Sequence, residues 1–297
     1  MSRSSSLALV LGFPEYAEQA RRLSERAGLG YAEVEVHRFP DGESRARLPG
    51  DLPRRVVFCR SLDRPNDKLV ELMLTARTAR ELGAEHLTLV APYLCYMRQD
   101  KAFAPGDAVS QRIVGRLLAD LFDALVTVDP HLHRIDRLEE AVPVARARAL
   151  TAAPLMAEFL RSELDAPLLA GPDSESEQWV SAIAAGQGLD YLIGTKERLG
   201  DRRVRVRFRA PARCRNRHVV LVDDVASTGR TLEAAATALA AGGPASISVL
   251  VTHALFLEGA QERLRAVGVD QVWSSDSIPH PTNRLRLAPL LSGALSD

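Results

Sequence analysis

Cysteine is scarce and scattered: Cys59, Cys95 and Cys214 are the only three in 297 residues. An odd count without CxxC spacing gives neither a disulfide framework nor a cysteine-ligated zinc site, and it suits a reducing cytoplasm. Net charge is missing too, with 38 Lys+Arg against 38 Asp+Glu. No global field therefore draws the chain to nucleic acid or to an anionic membrane. No apolar run approaches the roughly 18–20 residues needed to span a bilayer. The opening MSRSSSLALVLGF has one Arg and a short apolar run. It passes into Pro14-Glu15 without a small-residue cleavage site, so it reads as a first buried strand rather than a signal peptide. A GxxxxGK(S/T) phosphate loop, a GxSxG elbow and an HExxH helix are all absent. Any kinase chemistry must use a different cradle.

The length allows two domains of ordinary size. The hydrophobic fraction of 46% and charged fraction of 26% are those of a soluble globular protein. Short apolar stretches alternate with longer helical patterns. Strands are expected at 7–11, 55–59, 86–91 and 124–128, the last closing a first series. Helices are expected between them at 16–27, 66–82 and 110–121. In the second of these, Leu69, Leu72, Met73, Ala76, Ala79 and Leu82 recur at helical spacing. A second series has strands at 167–170, 191–193, 219–222 and 246–252, with helices at 177–185, 231–241 and 257–267. Such alternation builds right-handed βαβ units and parallel sheets covered on both faces. The expected class is α/β, in two similar domains, 1–150 and 151–297.

The stretch 218–232, HVVLVDDVASTGRTL, carries the most chemistry. An apolar run from Val219 to Val222 stops at two carboxylates, Asp223 and Asp224. Ser227, Thr228, Gly229, Arg230 and Thr231 follow, and then an alanine-rich helical pattern. A small hydroxyl- and Gly-containing turn at a helix N-terminus aims N–H groups and hydroxyls at one spot, which suits a phosphate. Two Asp just before it suit sugar hydroxyls or a magnesium ion. A 5-phosphorylated ribose carries both features.

Weaker signals lie at other strand ends, where ligands bind in α/β sheets. RFPDGE at 38–43 is a turn with a flanking aromatic and two carboxylates, although Pro-Asp-Gly alone is an ordinary turn. In PYLCYMRQDK at 92–101, Arg98 and Lys101 can meet phosphates, and Gln99 and Asp100 a base or sugar. An exposed polar loop is the plain alternative. VDPHLH at 128–133 puts Asp129, His131 and His133 past a strand, where they could hold a metal. Magnesium prefers oxygen, so a His would act on it only in part, or through water or phosphate. Gly171-Pro172-Asp173 offers another strand-end carboxylate. Lys196-Glu197-Arg198 puts two cations in a segment expected to be mobile, ending at Gly200-Asp201. Such cations can close over a transferring phosphoryl group, or form a merely solvated cluster. Eight Arg lie within 201–217. Over 203–209 they alternate with Val and Phe, which reads as an amphipathic strand with a solvated Arg face.

In this order the segments resemble the ribose-phosphate pyrophosphokinase (phosphoribosyl diphosphate synthase) family, and its archaeal-like branch in particular. FPDGE at 39–43, PYLCYMRQDK at 92–101, VDPH at 128–131, GPD at 171–173, KER at 196–198, VDDVASTGRT at 222–231 and SSDSIP at 274–279 carry the resemblance. RQDKAFAPGDAVS at 98–110 and THALFLEGA at 252–260 point to the branch. The resemblance implies two pseudo-symmetric phosphoribosyltransferase-type domains. The first would serve ATP and the second ribose 5-phosphate, with the last segment crossing back to the first. It implies Mg2+-dependent transfer of the diphosphoryl group of ATP to the C1 hydroxyl of ribose 5-phosphate, giving AMP.

Position by position, Phe39, Asp41 and Glu43 would hold adenine, often from a neighbouring subunit, which implies at least a homodimer. Arg98 and Gln99 would contact the nucleotide, with Asp100 and Lys101 nearby. His131 and Asp173 would organise magnesium and the ATP phosphates. Lys196 and Arg198 would stabilise the transition state. Asp223 and Asp224 would bind the ribose hydroxyls, and Ser227, Thr228, Gly229 and Thr231 the 5-phosphate. Three departures stand out: the acidic Ser174–Glu177 run after Asp173, Arg230 where the family has Gly or Ala, and His133 and the Arg-rich 202–217 segment, which have no family role. The acidic run fits the N-terminus of the following helix. Competing readings are a phosphoribosyltransferase that consumes phosphoribosyl diphosphate, the same transfer to a related sugar phosphate, and an inactive regulatory paralogue.

Overall fold

The computed structural model describes residues 8–198, 204–257 and 259–295. Leu7, Gly200, Asp201, Arg202, Arg203, Glu258 and the side chain of Arg198 lie outside the described residues. The chain forms two compact units. One runs to Leu150 and is rejoined from Leu287; the other is Thr151–Arg286.

In the first unit, β1 (Leu9–Gly12) leads through a single 3-10 turn into α1 (Ala17–Ala27). Gly28, left-handed at φ 67°, ends that helix. Next come β2 (Gly30–Glu33), β3 (Glu35–Arg38), β4 (Ser44–Arg47) and β5 (Arg55–Cys59). Helix α2 (Pro65–Glu81) starts on a proline, whose fixed φ and missing N–H suit a first turn. It is followed by β6 (His86–Val90), α3 (Ser110–Leu121), β7 (Ala124–Val128), α4 (Leu138–Ala141) and β8 (Arg146–Leu150). Six strands form a parallel sheet in the order β2-β1-β5-β6-β7-β8. β3 and β4 stand apart as an antiparallel hairpin. Leu11, Phe58, Leu72, Leu87, Leu89, Leu118 and Leu125 are fully buried in this unit's core. Gly115 lets α3 approach the end of α4: a Cβ there would sit 1.8 Å from the Ala141 carbonyl oxygen.

The second unit runs through α5 (Ala153–Glu163), β9 (Leu168–Gly171), α6 (Glu177–Ala185), β10 (Tyr191–Ile193), β11 (Thr195–Arg198) and β12 (Val204–Arg207). It continues with β13 (His218–Ala226), α7 (Arg230–Ala240), β14 (Ser246–Ala254), α8 (Ala260–Ala266), β15 (Gln271–Ser275) and β16 (Asn283–Leu285). Its parallel sheet has the order β10-β9-β13-β14-β15-β16, with β11 and β12 apart as an antiparallel ribbon. The two units thus repeat one plan: strand, edge strand, antiparallel pair, then four strands added on the other side. The chain closes with α9 (Ala288–Gly293), which packs on α1 in the first unit.

Several expectations are corrected. The strand at 124–128 does not close the first sheet, because β8 follows at its edge, with Arg146 and Ala149 exposed. Half-exposed β2 gave no apolar run to read. The strand expected at 219–222 extends to Ala226, because equally long β14 pairs with it through Val225↔His253 and Ala226↔Ala254. Asp223 and Asp224 therefore stand on the strand rather than after it. Helix α8 begins at Ala260, behind Gly259 at φ 70°, not at Leu257. The segment expected to be mobile around Lys196 is a strand as far as Arg198, pairing with β12. Val206 and Phe208 are buried while Arg205, Arg207 and Arg209 are exposed, as the period-two reading requires.

Candidate functional site

β9 and β13 are neighbours in the second sheet, yet the chain leaves them in opposite directions, β9 toward β10 and β13 toward β14. Their carboxyl ends flank the switch point where an open α/β sheet forms a crevice. The residues singled out in this unit gather there. Asp173 follows β9. Its Oδ1 accepts from the N–H groups of Glu175 (3.1 Å) and Ser176 (3.3 Å), and its carbonyl accepts from the Ser176 hydroxyl at 2.6 Å. This local cap turns the chain into α6, whose first turn takes Glu177. It accounts for the acidic run, since carboxylates are stabilised at a helix N-terminus. Gly171 makes room for the cap, because a Cβ there would lie 2.4 Å from Ser176 Oγ.

Lys196, on β11, places Nζ 2.9 Å from Asp173 Oδ2. Arg198 lies two positions further along the same strand. Asp223 is half-buried and Asp224 buried. Each holds a backbone N–H of the strand: Asp224 N donates to Asp223 Oδ1 at 3.1 Å, and Val225 N to Asp224 Oδ1 at 2.7 Å. Burial, then the carboxylates of Asp224 and Asp173, push the Asp223 carboxyl well above the usual range; Lys196 opposes this. Ser227 and Thr228 are half-buried in the turn that follows. Gly229, at φ 73°, is the last residue before α7, and Thr231 is in its first turn. Arg230 is the first residue of that helix and half-buried. Three carboxylates, a lysine, two hydroxyls and a helix N-terminus meet in one place. Such a set can bind a polyol phosphate, and one or two of its carboxylates can hold a hard divalent cation together with phosphate oxygens.

The first unit holds the other candidates at three places. Phe39, Asp41 and Glu43 form the tip of the β3–β4 hairpin. Phe39 N donates to the Glu43 carbonyl at 2.8 Å, and Glu43 N to Asp41 Oδ1 at 3.1 Å. The Phe39 ring is exposed, with the His37 ring edge-on at 4.7 Å between centroids. The strand ends that carry this tip are fixed by buried Glu71, which accepts from Arg38 Nε at 3.1 Å and Ser44 Oγ at 3.0 Å. Glu71 also pairs with fully buried Arg60.

After β6, Arg98 and Lys101 are exposed and Gln99 and Asp100 partly buried. Gln99 Oε1 accepts from Ser110 Oγ at 2.9 Å. Asp100 Oδ2 lies 3.2 Å from Arg134 Nε, which ties this loop to the one after β7. In that second loop, buried Asp129 adopts φ 39°, and His131 and His133 meet through their Nε2 atoms with ring planes at 86°. Among the described residues no cluster of three or more His, Cys, Asp or Glu has metal-ligand geometry. Asp129 and the two His therefore do not assemble a site by themselves.

Sequence reading passed over Arg60, Glu71, Arg134 and Arg263. The first three are single charged residues inside ordinary helix, strand or loop patterns, and only the fold reveals their partners. Arg263 lies on α8 and donates through Nη2 to the Thr228 carbonyl.

Comparisons with known proteins cover both units. A model described as the N-terminal domain of ribose phosphate pyrophosphokinase matches residues 9–121, and a phosphoribosyl transferase domain model matches residues 145–279. A Methanopyrus kandleri protein named ribose-phosphate pyrophosphokinase is 36% identical over 293 residues, covering 97% of this chain and 99% of its own. One of the same name from Thermococcus kodakarensis is 34% identical over 267 residues, covering 89% and 92%. The crystal structure of phosphoribosylpyrophosphate synthetase from Mycobacterium smegmatis superposes with a TM-score of 0.82 at 20% identity, covering 97% of each chain, which shows a common fold.

Proposed function

Since the chain belongs to the ribose-phosphate pyrophosphokinase family, we propose that it transfers the diphosphoryl group of ATP to the C1 hydroxyl of ribose 5-phosphate, releasing AMP. The observation that carries this is the meeting of Asp173, Lys196, Asp223, Asp224 and the turn 227–231 at one switch point. That site accepts the whole pentose phosphate: hydroxyls on the carboxylates, 5-phosphate on the turn.

The second unit takes the sugar and the first takes ATP. Asp223 and Asp224 accept hydrogen bonds from ribose hydroxyls and so fix the ring. Ser227, Thr228, Gly229 and Thr231 surround the phosphate, with the α7 N-terminus adding its dipole. Attack at a phosphorus of ATP needs in-line approach and neutralised oxygens rather than a covalent nucleophile. Lys196 and Arg198 supply that positive charge, each worth about 3–4 kcal/mol of transition-state stabilisation if it acts as an oxyanion donor does. His131 contacts the ATP phosphates. Phe39, Asp41 and Glu43 bind adenine, and Arg98, Gln99, Asp100 and Lys101 the rest of the nucleotide.

The donor set fits magnesium. Its carboxylates are hard oxygen ligands, and Asp223 is short of positive charge beside two others. Asp173 would hold the ion. When bound, magnesium neutralises charge on the phosphate oxygens.

The exposed Phe39 tip on an anchored hairpin suits adenine binding into a second copy, so the working form is a homodimer or larger homo-oligomer. No described helix is long and apolar enough to cross a membrane, and we place the enzyme in the cytoplasm, with no nucleic-acid partner. Incubation with ATP, Mg2+ and ribose 5-phosphate tests the reading. AMP should appear only when the sugar is present, in equal amount to phosphoribosyl diphosphate. Sugar-independent AMP, or ADP as product, would overturn it.

A further inference from the structure

The turn 226–230 is held from behind by the segment that leads into α8. Phe256 N donates to the Ala226 carbonyl at 2.8 Å, and Leu257 N to the Ser227 carbonyl at 2.9 Å. Arg263 Nη2 donates to the next carbonyl, that of Thr228. Three consecutive carbonyls are therefore fixed toward the α8 side. In a planar trans peptide the C=O and the following N–H point in opposite directions. Fixing the carbonyls of Ala226, Ser227 and Thr228 thus turns the N–H groups of Ser227, Thr228 and Gly229 the other way, toward the phosphate place. The third carbonyl differs from the first two, because a side chain holds it rather than the backbone.

Arg263 is itself oriented. Its Nε lies 3.4 Å from Glu233 Oε2, one turn into α7. Both side chains of this pair are about one-third exposed, at 33% and 34%, so the pair contributes direction more than energy. Ala260 closes the contact from the same helix: a Cβ on Gly229 would lie 3.0 Å from its Cβ. α8 is thus fitted to the turn at a backbone carbonyl, at a glycine and through Glu233.

We propose that Arg263 is a positioning residue for the 5-phosphate: it fixes the Thr228–Gly229 peptide so that the Gly229 N–H faces the phosphate, and Glu233 holds its guanidinium in place. This rests on the reading that 227–231 cradles that phosphate. A charged donor to a backbone carbonyl is worth enough that its loss should weaken phosphate binding about tenfold. Binding of ATP should not change.

The test is calorimetric titration of ribose 5-phosphate into wild type, Arg263→Ala, Arg263→Lys and Thr228→Ala proteins, with steady-state kinetics beside it. Arg263→Ala should raise Kd and KM for ribose 5-phosphate about tenfold, with KM for ATP unchanged. Added guanidinium ion at millimolar concentration should restore part of the affinity. Arg263→Lys keeps a charged donor and should lie between the two. If wild type does not bind the sugar phosphate, or Thr228→Ala binds it as wild type does, the cradle reading fails and the proposal with it. If both behave as expected while folded Arg263→Ala binds within twofold of wild type, the proposal alone fails. Should Arg263→Ala not fold, Arg263→Met, which keeps the length of the side chain without its donors, decides by the same criterion.

Discussion

Lys196 Nζ stands 2.9 Å from Asp173 Oδ2. The cation we propose for the transferring phosphoryl group and the carboxylate we propose for magnesium neutralise each other. Both come from short-range features, Lys196 from an antiparallel ribbon and Asp173 from a helix cap. The two halves of the pair have separate supports in the fold.

Lys196 should matter to turnover far more than to sugar binding. We expect Lys196→Ala to lower kcat by about 100-fold or more, with KM for ribose 5-phosphate nearly unchanged, because its charge is used where the transition state gathers negative charge. Arg198→Ala should behave alike. Steady-state AMP formation checks both. Near-normal turnover in the two variants would remove this ribbon from the mechanism.

Asp223 links the site to stability. A carboxyl whose pKa is raised on folding keeps a proton that the unfolded chain has released. Folded-state stability therefore falls as pH rises from the ordinary Asp range through the raised value. Asp223→Asn abolishes that loss, so in the absence of substrate its Tm should exceed that of wild type by a margin that widens with pH. The same variant should bind ribose 5-phosphate more weakly. Thermal scans at a series of pH values upward from the ordinary Asp range read the first effect. A margin that narrows with pH is the contrary result.

Glu71 fixes the hairpin that carries Phe39. Burial raises its pKa, but the guanidinium of Arg60, then Arg38 and Ser44, outweigh burial and hold it below the usual carboxylate range. The stability it contributes is present above that range and lost as pH falls through the lowered value. Glu71→Ala leaves buried Arg60 to Glu15 and the Lys68 carbonyl and should cost about 3 kcal/mol, the low end for a broken buried pair, measured by urea unfolding. Glu71→Gln should flatten the acid side of the stability profile and raise KM for ATP. An unchanged acid limb would contradict the assignment.

The thiols should be inert. Cys59, Cys95 and Cys214 are all buried. Burial pushes Cys95 up to about 12 and raises Cys214 as well. A thiol-disulfide reagent at pH 8 should label less than one thiol per native chain, and all three on unfolding. Rapid labelling of the native protein would refute the packing described.

Much of this was legible before any coordinates. Alternating apolar and helical runs located eight of the sheet strands, because buried parallel strands read as plain apolar stretches. The other four are the edge strands β2, β8 and β16, whose half-exposed residues carry no such run, and the inner strand β15, QVWSS, with only two apolar residues in a row. The length of β13 was missed because Asp223 and Asp224 look like a stop signal, and only pairing with β14 shows otherwise. Within the site, the strand-end carboxylates and the turn 227–231 were visible as motifs. Supports such as Glu71 and Arg263 were not. A lone charge in a helix says nothing of the residue it meets more than 25 positions away.

The most direct test follows the β-phosphorus. With ATP labelled at the β position, Mg2+ and ribose 5-phosphate, the account predicts label in a pentose diphosphate and unlabelled AMP. Label retained in a nucleotide product while the sugar remains a monophosphate would contradict it.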